Sequence, residues 1–305
     1  MQIDKIAVLM AVYEPNLEWL KQQLCSINDQ TYENISLYIC DDCSKQIQFS
    51  QIEQCVYECI NKISVRILQN KQNIGSNATF EKLTKLAKGD YFAYCDQDDI
   101  WEIDKLSILY ECLIQDKAGM SYSNMSVIDS EGNKIANSLK ILRPRLEYLS
   151  GIGLSEKYFF RNCTAGCSML IKSEIAKKAV PFPEKTVCDQ WLCIIAAIYG
   201  NISFCEKSLV RYRQHENNQT GVLTGVVDKQ TYYERRLFPL KERMDSYNKV
   251  IKPTKELETF INARCERDVL NIWKFRKFSK FEAYFEIFMK FSPNWLVKFV
   301  LAILK

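Results

Sequence analysis

The sequence predicts an α/β fold: a mostly parallel central sheet flanked by helices, followed by a helical C-terminal extension. Three observations carry this. Short apolar runs alternate with stretches of helical periodicity through the first 130 residues. Several of those runs stop abruptly at aspartates, as strands do when they reach the edge of a buried sheet. Beyond about residue 225 the composition shifts to Lys/Glu-rich helical sequence.

The elements follow in order. Residues 6–12 (IAVLMAV) form an unbroken apolar run, the pattern of a strand buried on both faces. Pro15 opens a helical pattern to Asn28 with Leu17, Leu20, Leu24 and Ile27 on one face. Residues 36–40 (SLYIC) read as a second strand ended by Asp41-Asp42, 52–63 as a helix and 65–68 as a third strand. Asn73-Ile74-Gly75-Ser76 reads as loop and N-cap before a helix to Lys88, and 90–95 (DYFAYC) as a fourth strand ended by Asp96. Strands alternating with helices of this length imply βαβ units. Further on, 119–127, 167–171, 202–205 and 209–213 read as strands and 188–199 as a helix. In such sheets ligands bind beyond the carboxyl ends of the strands, where Asp41-Asp42 and residues 96–99 lie.

Composition narrows the function. The chain has 305 residues, 47% apolar and 26% charged, so it reads as globular and not disordered. Its net charge of +4 is too small for a dedicated nucleic-acid binder. Thirteen cysteines, an odd number without a recognisable leader, argue against a disulfide framework and for a reducing compartment. Their close spacings (Cys40/Cys43, Cys55/Cys59, Cys163/Cys167, Cys188/Cys193) contain one CxxC and no second at zinc-ribbon distance, so they read as small buried hydrophobes. A single histidine, His215, leaves acid–base work to carboxylates.

Residues 264–305 differ from the rest. They carry nine Lys/Arg against four acids and ten aromatic residues, a net +5, while the other 263 residues sum to −1. A basic, aromatic, amphipathic segment suits an anionic membrane surface. Its last apolar run, 295–304, is too short to span a bilayer, which takes about 20 residues. The alternative is packing on the core or on the second subunit of a homodimer.

The sharpest motif is Asp96-Gln97-Asp98-Asp99-Ile100-Trp101. Three carboxylates within four residues, just past a buried strand, repel one another unless a cation shares the site. Oxygen ligands favour Mg²⁺ or Mn²⁺, and such an ion calls for an anionic partner such as a diphosphate. Taken together, DDCS at 41–44, Asn73-x-Gly75 and YCDQDDIW at 94–101 resemble the family 2 inverting glycosyltransferases, which have a GT-A fold with a Rossmann-like sheet. The DQDDIW form is most similar to the bacterial rhamnosyltransferase-like branch, and the likeness covers about residues 4–220.

That resemblance implies roles. Asp41 and Asp42 would lie against nucleobase and ribose, with main-chain contacts from Ala11 and Tyr13 and the donor loop at Asn73 and Gly75. Asp96 would face the ribose or sugar and join Asp98 at the metal, and Asp99 would hold a sugar hydroxyl. Inversion needs a base for the acceptor hydroxyl. Asp189 is the candidate, opening the helix at 188–199 as Val187-Cys188-Asp189-Gln190-Trp191-Leu192; many relatives have Glu where Cys188 stands. An N-cap role is the competing explanation for Asp189. Arg211, Arg213, His215 and Asn218 match a segment that closes over the donor diphosphate, Arg as a bidentate fork and His215 in the metal's shell. Asn162, Thr164 and Gly166 form a polar loop that would approach the donor sugar or be an ordinary turn. Lys71 and Lys82 read as solvated.

The expectation is therefore a GT-A catalytic domain over 1–225 and a helical extension over 226–305. The enzyme would use Mn²⁺ or Mg²⁺ to move a sugar from a dTDP-rhamnose or UDP-hexose donor onto a lipid-linked saccharide. That places it in bacterial surface-polysaccharide synthesis, in the cytoplasm at the inner face of the cell membrane. Two other readings stay open: a sugar-1-phosphate nucleotidyltransferase, whose Gly-rich turn Ala11-Val12-Tyr13-Glu14-Pro15 lacks, and a catalytically silent scaffold of the same fold.

Overall fold

The computed structural model describes residues 3–216 and 225–304. The chain divides into two compact units between His215 and Glu216.

The N-terminal unit begins β1 (Ile6–Val12), α1 (Leu17–Asn28), β2 (Ile35–Asp41), α2 (Phe49–Cys59), β3 (Ser64–Gln69), α3 (Ser76–Leu86), β4 (Tyr91–Cys95). It continues through β5 (Ile100–Trp101), α4 (Lys105–Gln115), β6 (Ala118–Ile128), β7 (Lys134–Ala136) and the short helices α5 (Leu139–Leu142) and α6 (Ser155–Phe160). β8 (Met169–Lys172), α7 (Ser173–Lys178), α8 (Cys188–Tyr199) and β9 (Asn201–Arg213) complete it. The strands join one sheet in the order β3-β2-β1-β4-β8-β6-β9-β5, with β7 on β6. β1–β4 are parallel to one another, as are β6 and β9, whereas β8 runs antiparallel to both its neighbours. Register pairs Val12 with Asp41 and Met10 with Cys95, so the chain leaves β1, β2 and β4 side by side on one edge.

The unbroken apolar runs are central strands: β1 and β4 are buried almost throughout, as burial on both faces requires. Local chemistry sets several helix starts. Asn16 caps α1 by accepting from the Glu18 and Trp19 amides (3.0 and 3.2 Å), so that helix opens at Leu17, two residues past Pro15. Gly75 occupies the N-cap of α3 at φ 85°, a conformation glycine tolerates best, and Ser76 is already helical. α2 spans Phe49–Cys59, starting and ending earlier than the apolar periodicity indicates. The two expected late strands are one long β9, whose centre carries exposed Glu206 and Lys207. All thirteen cysteines are free, and Cys40 and Cys95 are fully buried strand ends.

The C-terminal unit is helical: α9 (Lys229–Tyr232), a π turn (Tyr233–Leu237), α10 (Phe238–Val250), α11 (Lys255–Glu266), α12 (Val269–Lys274), α13 (Lys280–Phe291) and α14 (Asn294–Leu304). Inside it Arg264 and Glu286 form a buried ion pair at 2.6 Å, and Tyr232 donates to the same carboxylate at 2.9 Å. The carboxylate is thereby satisfied by several donors, the condition under which a buried pair is tolerated. Among the described residues no helix is long and apolar enough to cross a membrane.

Candidate active site

Asp41 and Asp42, at the end of β2, are buried and shape the chain around them. The Asp41 carboxylate accepts from the Ser44 hydroxyl (2.6 Å), the Ser44 amide (3.2 Å) and the Gln69 side chain (3.0 Å), fixing the 41–44 turn. Asp42 accepts from Asn70 Nδ2 (2.7 Å) and from the amides of Ile74 (3.0 Å) and Gly75 (2.8 Å). It thus pins the 73–75 loop, where Asn73 is exposed and its side chain accepts from the Gly75 amide at 3.2 Å. At the end of β1, Ala11 is part-buried in the strand and the Tyr13 ring is exposed. The Tyr13 backbone is bonded through both N–H (2.8 Å) and C=O (3.1 Å) to the side chain of Gln97. Gln97, the x of the DxD, thereby ties the acidic loop to β1.

The acidic loop holds crowded charge. Burial, then the Asp98 and Asp189 charges, push Asp96 up to about 7. Asp99 is fully buried and pushed well above the usual carboxylate range by burial and by Asp98 and Asp96. Its Oδ1 accepts from the Arg213 amide (2.9 Å), and its Oδ2 has no hydrogen-bond partner. Asp98 Oδ2 lies 2.8 Å from His215 Nε2, and the imidazole rests 4.9 Å from the Trp19 ring. The fold therefore brings Asp98 and His215 together across 117 residues.

Arg213 supports this loop. Its side chain is buried and donates to the carbonyls of Asp98 (2.8 Å), Asp129 (3.2 Å) and Ser130 (3.1 Å) and to Gln22 Oε1 (2.6 Å). The guanidinium expected as a phosphate fork is thus engaged with the protein's own acceptors. Arg211 is likewise engaged, in a bidentate pair with Glu102 at 2.8 and 3.1 Å. Asn218 lies outside the described residues.

Lys105 sits beneath the loop, wholly buried. Its ammonium donates to the Cys167 carbonyl (2.6 Å) and lies 3.0 Å from the centre of the Trp101 ring. Burial lowers it to about 7, while Asp99 and Asp96 act in the opposite sense.

The donor set fits a hard divalent cation. Carboxylate oxygens of Asp96 and Asp99 lie within 4.8 Å of each other and of Cys167 Sγ, with an orphaned oxygen on Asp99. Burial and those two carboxylates push Cys167 well above 9, so without a cation it is a thiol. Asp96 and Asp99 remain as oxygen donors, and the Asp98–His215 pair at 2.8 Å adds a further carboxylate and an imidazole of the kind suited to Mg²⁺ or Mn²⁺.

Asp189 is the second residue of α8; Val187 is the N-cap. The Asp189 carboxylate accepts from the Gln190 amide (2.6 Å) and Asn162 Nδ2 (2.9 Å), and burial raises it to about 6. Asn162 thus bonds to Asp189, while Thr164, two residues on, is buried. A Cβ at Gly166 would meet Asp189 Cβ at 3.6 Å and Tyr94 Cβ at 3.9 Å, which sets Asp189 beside the end of β4 that leads into Asp96. The structure therefore gathers Asp96, Asp98, Asp99, Asp189 and His215, sets Asp41, Asp42, Asn73 and Gly75 at the adjoining strand end, and turns Arg211 aside. Lys71 is exposed, but Lys82 donates to Asn70 Oδ1 at 2.7 Å and supports the Asp42 network.

Comparison with known proteins bears on family and fold. The model of Glycosyl transferase family 2 matches residues 7–178. The chain belongs to that family. This family 2 glycosyltransferase is 27% identical over 287 residues to dTDP-rhamnosyl transferase RfbG of Shigella flexneri, covering 88% of this chain and 94% of that one. It is 28% identical over 199 residues to the Escherichia coli UDP-Glc:alpha-D-GlcNAc-diphosphoundecaprenol beta-1,3-glucosyltransferase WfaP, covering 64% and 71% of the two chains. Its fold matches S. aureus TarS in complex with UDP-GlcNAc at TM-score 0.61 and 17% identity, over 86% of this chain and 71% of that one. It also matches the mannosyltransferase PcManGT of Pyrobaculum calidifontis, in complex with GDP-Man and Mn²⁺, at TM-score 0.57 and 14% identity, over 99% and 80%. The architecture is accordingly GT-A. The family match ends before Asp189 and His215, so the case for those two residues rests on the geometry above.

Proposed function

We propose that this glycosyltransferase moves a sugar, with inversion, from a nucleoside-diphosphate donor to a hydroxyl of a lipid-linked glycan. The observation that carries the reading is the grouping of a charge-crowded acidic loop (Asp96, Asp98, Asp99), His215 and a raised carboxyl, Asp189. Asp189 Oδ takes the proton of the acceptor hydroxyl as its oxygen forms the bond to the anomeric carbon. The bond from that carbon to the diphosphate oxygen breaks, and the diphosphate leaves with the electron pair. Asp98, Asp96 and His215 would hold Mn²⁺ or Mg²⁺, which when bound offsets charge on the leaving diphosphate. Asp42 and the 73–75 loop, with the end of β1, line the nucleotide side. Arg213 holds the acidic loop in place from behind.

The likeness to RfbG supports dTDP-rhamnose as donor, with a UDP-hexose second. The likeness to WfaP, a glucosyltransferase acting on a diphosphoundecaprenol-linked sugar, supports a lipid-linked acceptor, in surface-polysaccharide assembly at the inner face of a bacterial membrane. Supporting membrane contact, α14 carries exposed Trp295 (69%), Phe299 (61%) and Ile303 (68%) in a stripe spaced every four residues, opposite buried Val297 and Leu301. α13 adds exposed Phe281, Tyr284 and Phe291, with Lys280, Lys290 and Lys298 exposed among them. Rings entering the interface and lysines meeting anionic headgroups is the arrangement a peripheral helix needs.

A donor screen tests the reading: release of dTDP or UDP in the presence of Mn²⁺, lost in Asp98→Ala. No release from any nucleotide sugar sinks it. For the tail, Trp295→Ser/Phe299→Ser should lower co-sedimentation with anionic liposomes; unchanged binding would point to packing on protein.

A further inference from the structure

The base and the nucleotide loop are joined by one side chain. Asn77, in the first turn of α3, donates through Nδ2 to the Thr186 carbonyl at 2.7 Å and accepts through Oδ1 from the Cys188 amide at 2.9 Å. The second bond matters because α8 starts without a side-chain cap of its own. Its N-cap is Val187, whose side chain has no acceptor, so the Cys188 amide is one of the orphan donors that a helix start must satisfy from elsewhere. Asn77 supplies that acceptor from 111 residues away. Asp189 is the next residue. Asn77 is also two residues beyond Gly75, whose amide is held by Asp42 at 2.8 Å. A continuous set of bonds thus runs from Asp42 through the start of α3 to the start of α8.

We infer that Asn77 is a positioning residue for Asp189, fixing the first turn of α8 relative to the donor loop so that the base carboxylate keeps its line to the acceptor hydroxyl. It acts through Asp189 and need not touch the substrate. The inference rests on the glycosyltransferase reading and on Asp189 as its base. No sequence pattern marks it: Asn77 sits in an ordinary polar helix start, and its partners come from the far side of the chain.

The test is a double-mutant cycle on the full chain, reading donor turnover with the nucleotide sugar the screen selects. Asn77→Ala should lower kcat by about 10–100-fold, the scale of a misplacement near 1 Å, with donor KM within about threefold. In the Asp189→Asn background the same substitution should cost less than about twofold, because a residue acting through Asp189 has nothing left to position. A full multiplicative loss in that background, or an unchanged kcat in Asn77→Ala alone, overturns the inference. If Asn77→Ala does not fold, Asn77→Asp, which keeps the acceptor for Cys188 and removes the donor to Thr186, enters the same cycle. An Asp189→Asn enzyme as active as the wild type would instead overturn the base assignment, so the two failures are told apart.

Discussion

Asn162→Ala should move the acid limb of the pH–rate profile upward. Asp189 stands at about 6 because burial disfavours its charge, while the Asn162 and Gln190 donors favour it. As a base it works deprotonated, so kcat/KM should fall as pH drops through about 6, to roughly a tenth of its plateau at pH 5. Asn162 Nδ2 donates to the carboxylate at 2.9 Å from an exposed position. A hydrogen bond to a charged group contributes about 1.5–3 kcal/mol, and water can replace part of it at an exposed site. About 1 kcal/mol of lost support for the charged form, at 1.36 kcal/mol per pKa unit, raises Asp189 by roughly half to one unit. The measurement is kcat/KM between pH 5 and 9 for wild type and variant, with the donor subsaturating and the acceptor fixed. The limb should move from about 6 toward 6.5–7, flattening out above pH 8. A limb that stays in place or moves down refutes the account of Asp189.

Other expectations follow from the same contacts. Asp96→Asn should stabilise the ligand-free protein at neutral pH. A carboxyl raised from 3.8 to about 7 favours the fold fully below pH 4 and loses that contribution as pH rises through 7, by roughly 4 kcal/mol. Thermal melts should therefore show the variant's advantage above pH 7 and none near pH 4. Asp42→Ala removes the acceptor of the Ile74 and Gly75 amides and of Asn70, and should cost about 2–4 kcal/mol in urea denaturation together with weaker nucleotide binding. Mn²⁺ should raise the wild-type Tm by mass action and leave that of Asp98→Ala unmoved.

Much of the fold is legible in the sequence because parallel strands buried on both faces must be continuously apolar, as β1 and β4 are. β5, only Ile100–Trp101, is too short to carry a period, and it exists because Arg211 and Val210 of β9 pair with it. β9 looks like two strands because Glu206 and Lys207 interrupt its burial, and its pairing with β6 shifts register there. The acidic loop is legible because three carboxylates within four residues demand a physical reason. What supports it is not. Gln97 reaches Tyr13 across 84 residues, Lys105 reaches Cys167 across 62, and Arg213 reaches the Asp98 carbonyl across 115. Such contacts leave no local periodicity. The arginines show the same limit from the other side: an R-x-R beside an imidazole suits a phosphate, yet Glu102 and the loop carbonyls take both forks.

The most direct test of the central claim is the anomeric configuration of the product. With the donor found by screening and a lipid-linked acceptor, NMR of the new glycosidic linkage should show the configuration opposite to the donor's, and Asp189→Asn should slow its formation by about 10²–10⁴-fold. A product that retains the donor's configuration, or that forms at the normal rate without the Asp189 carboxylate, would contradict it.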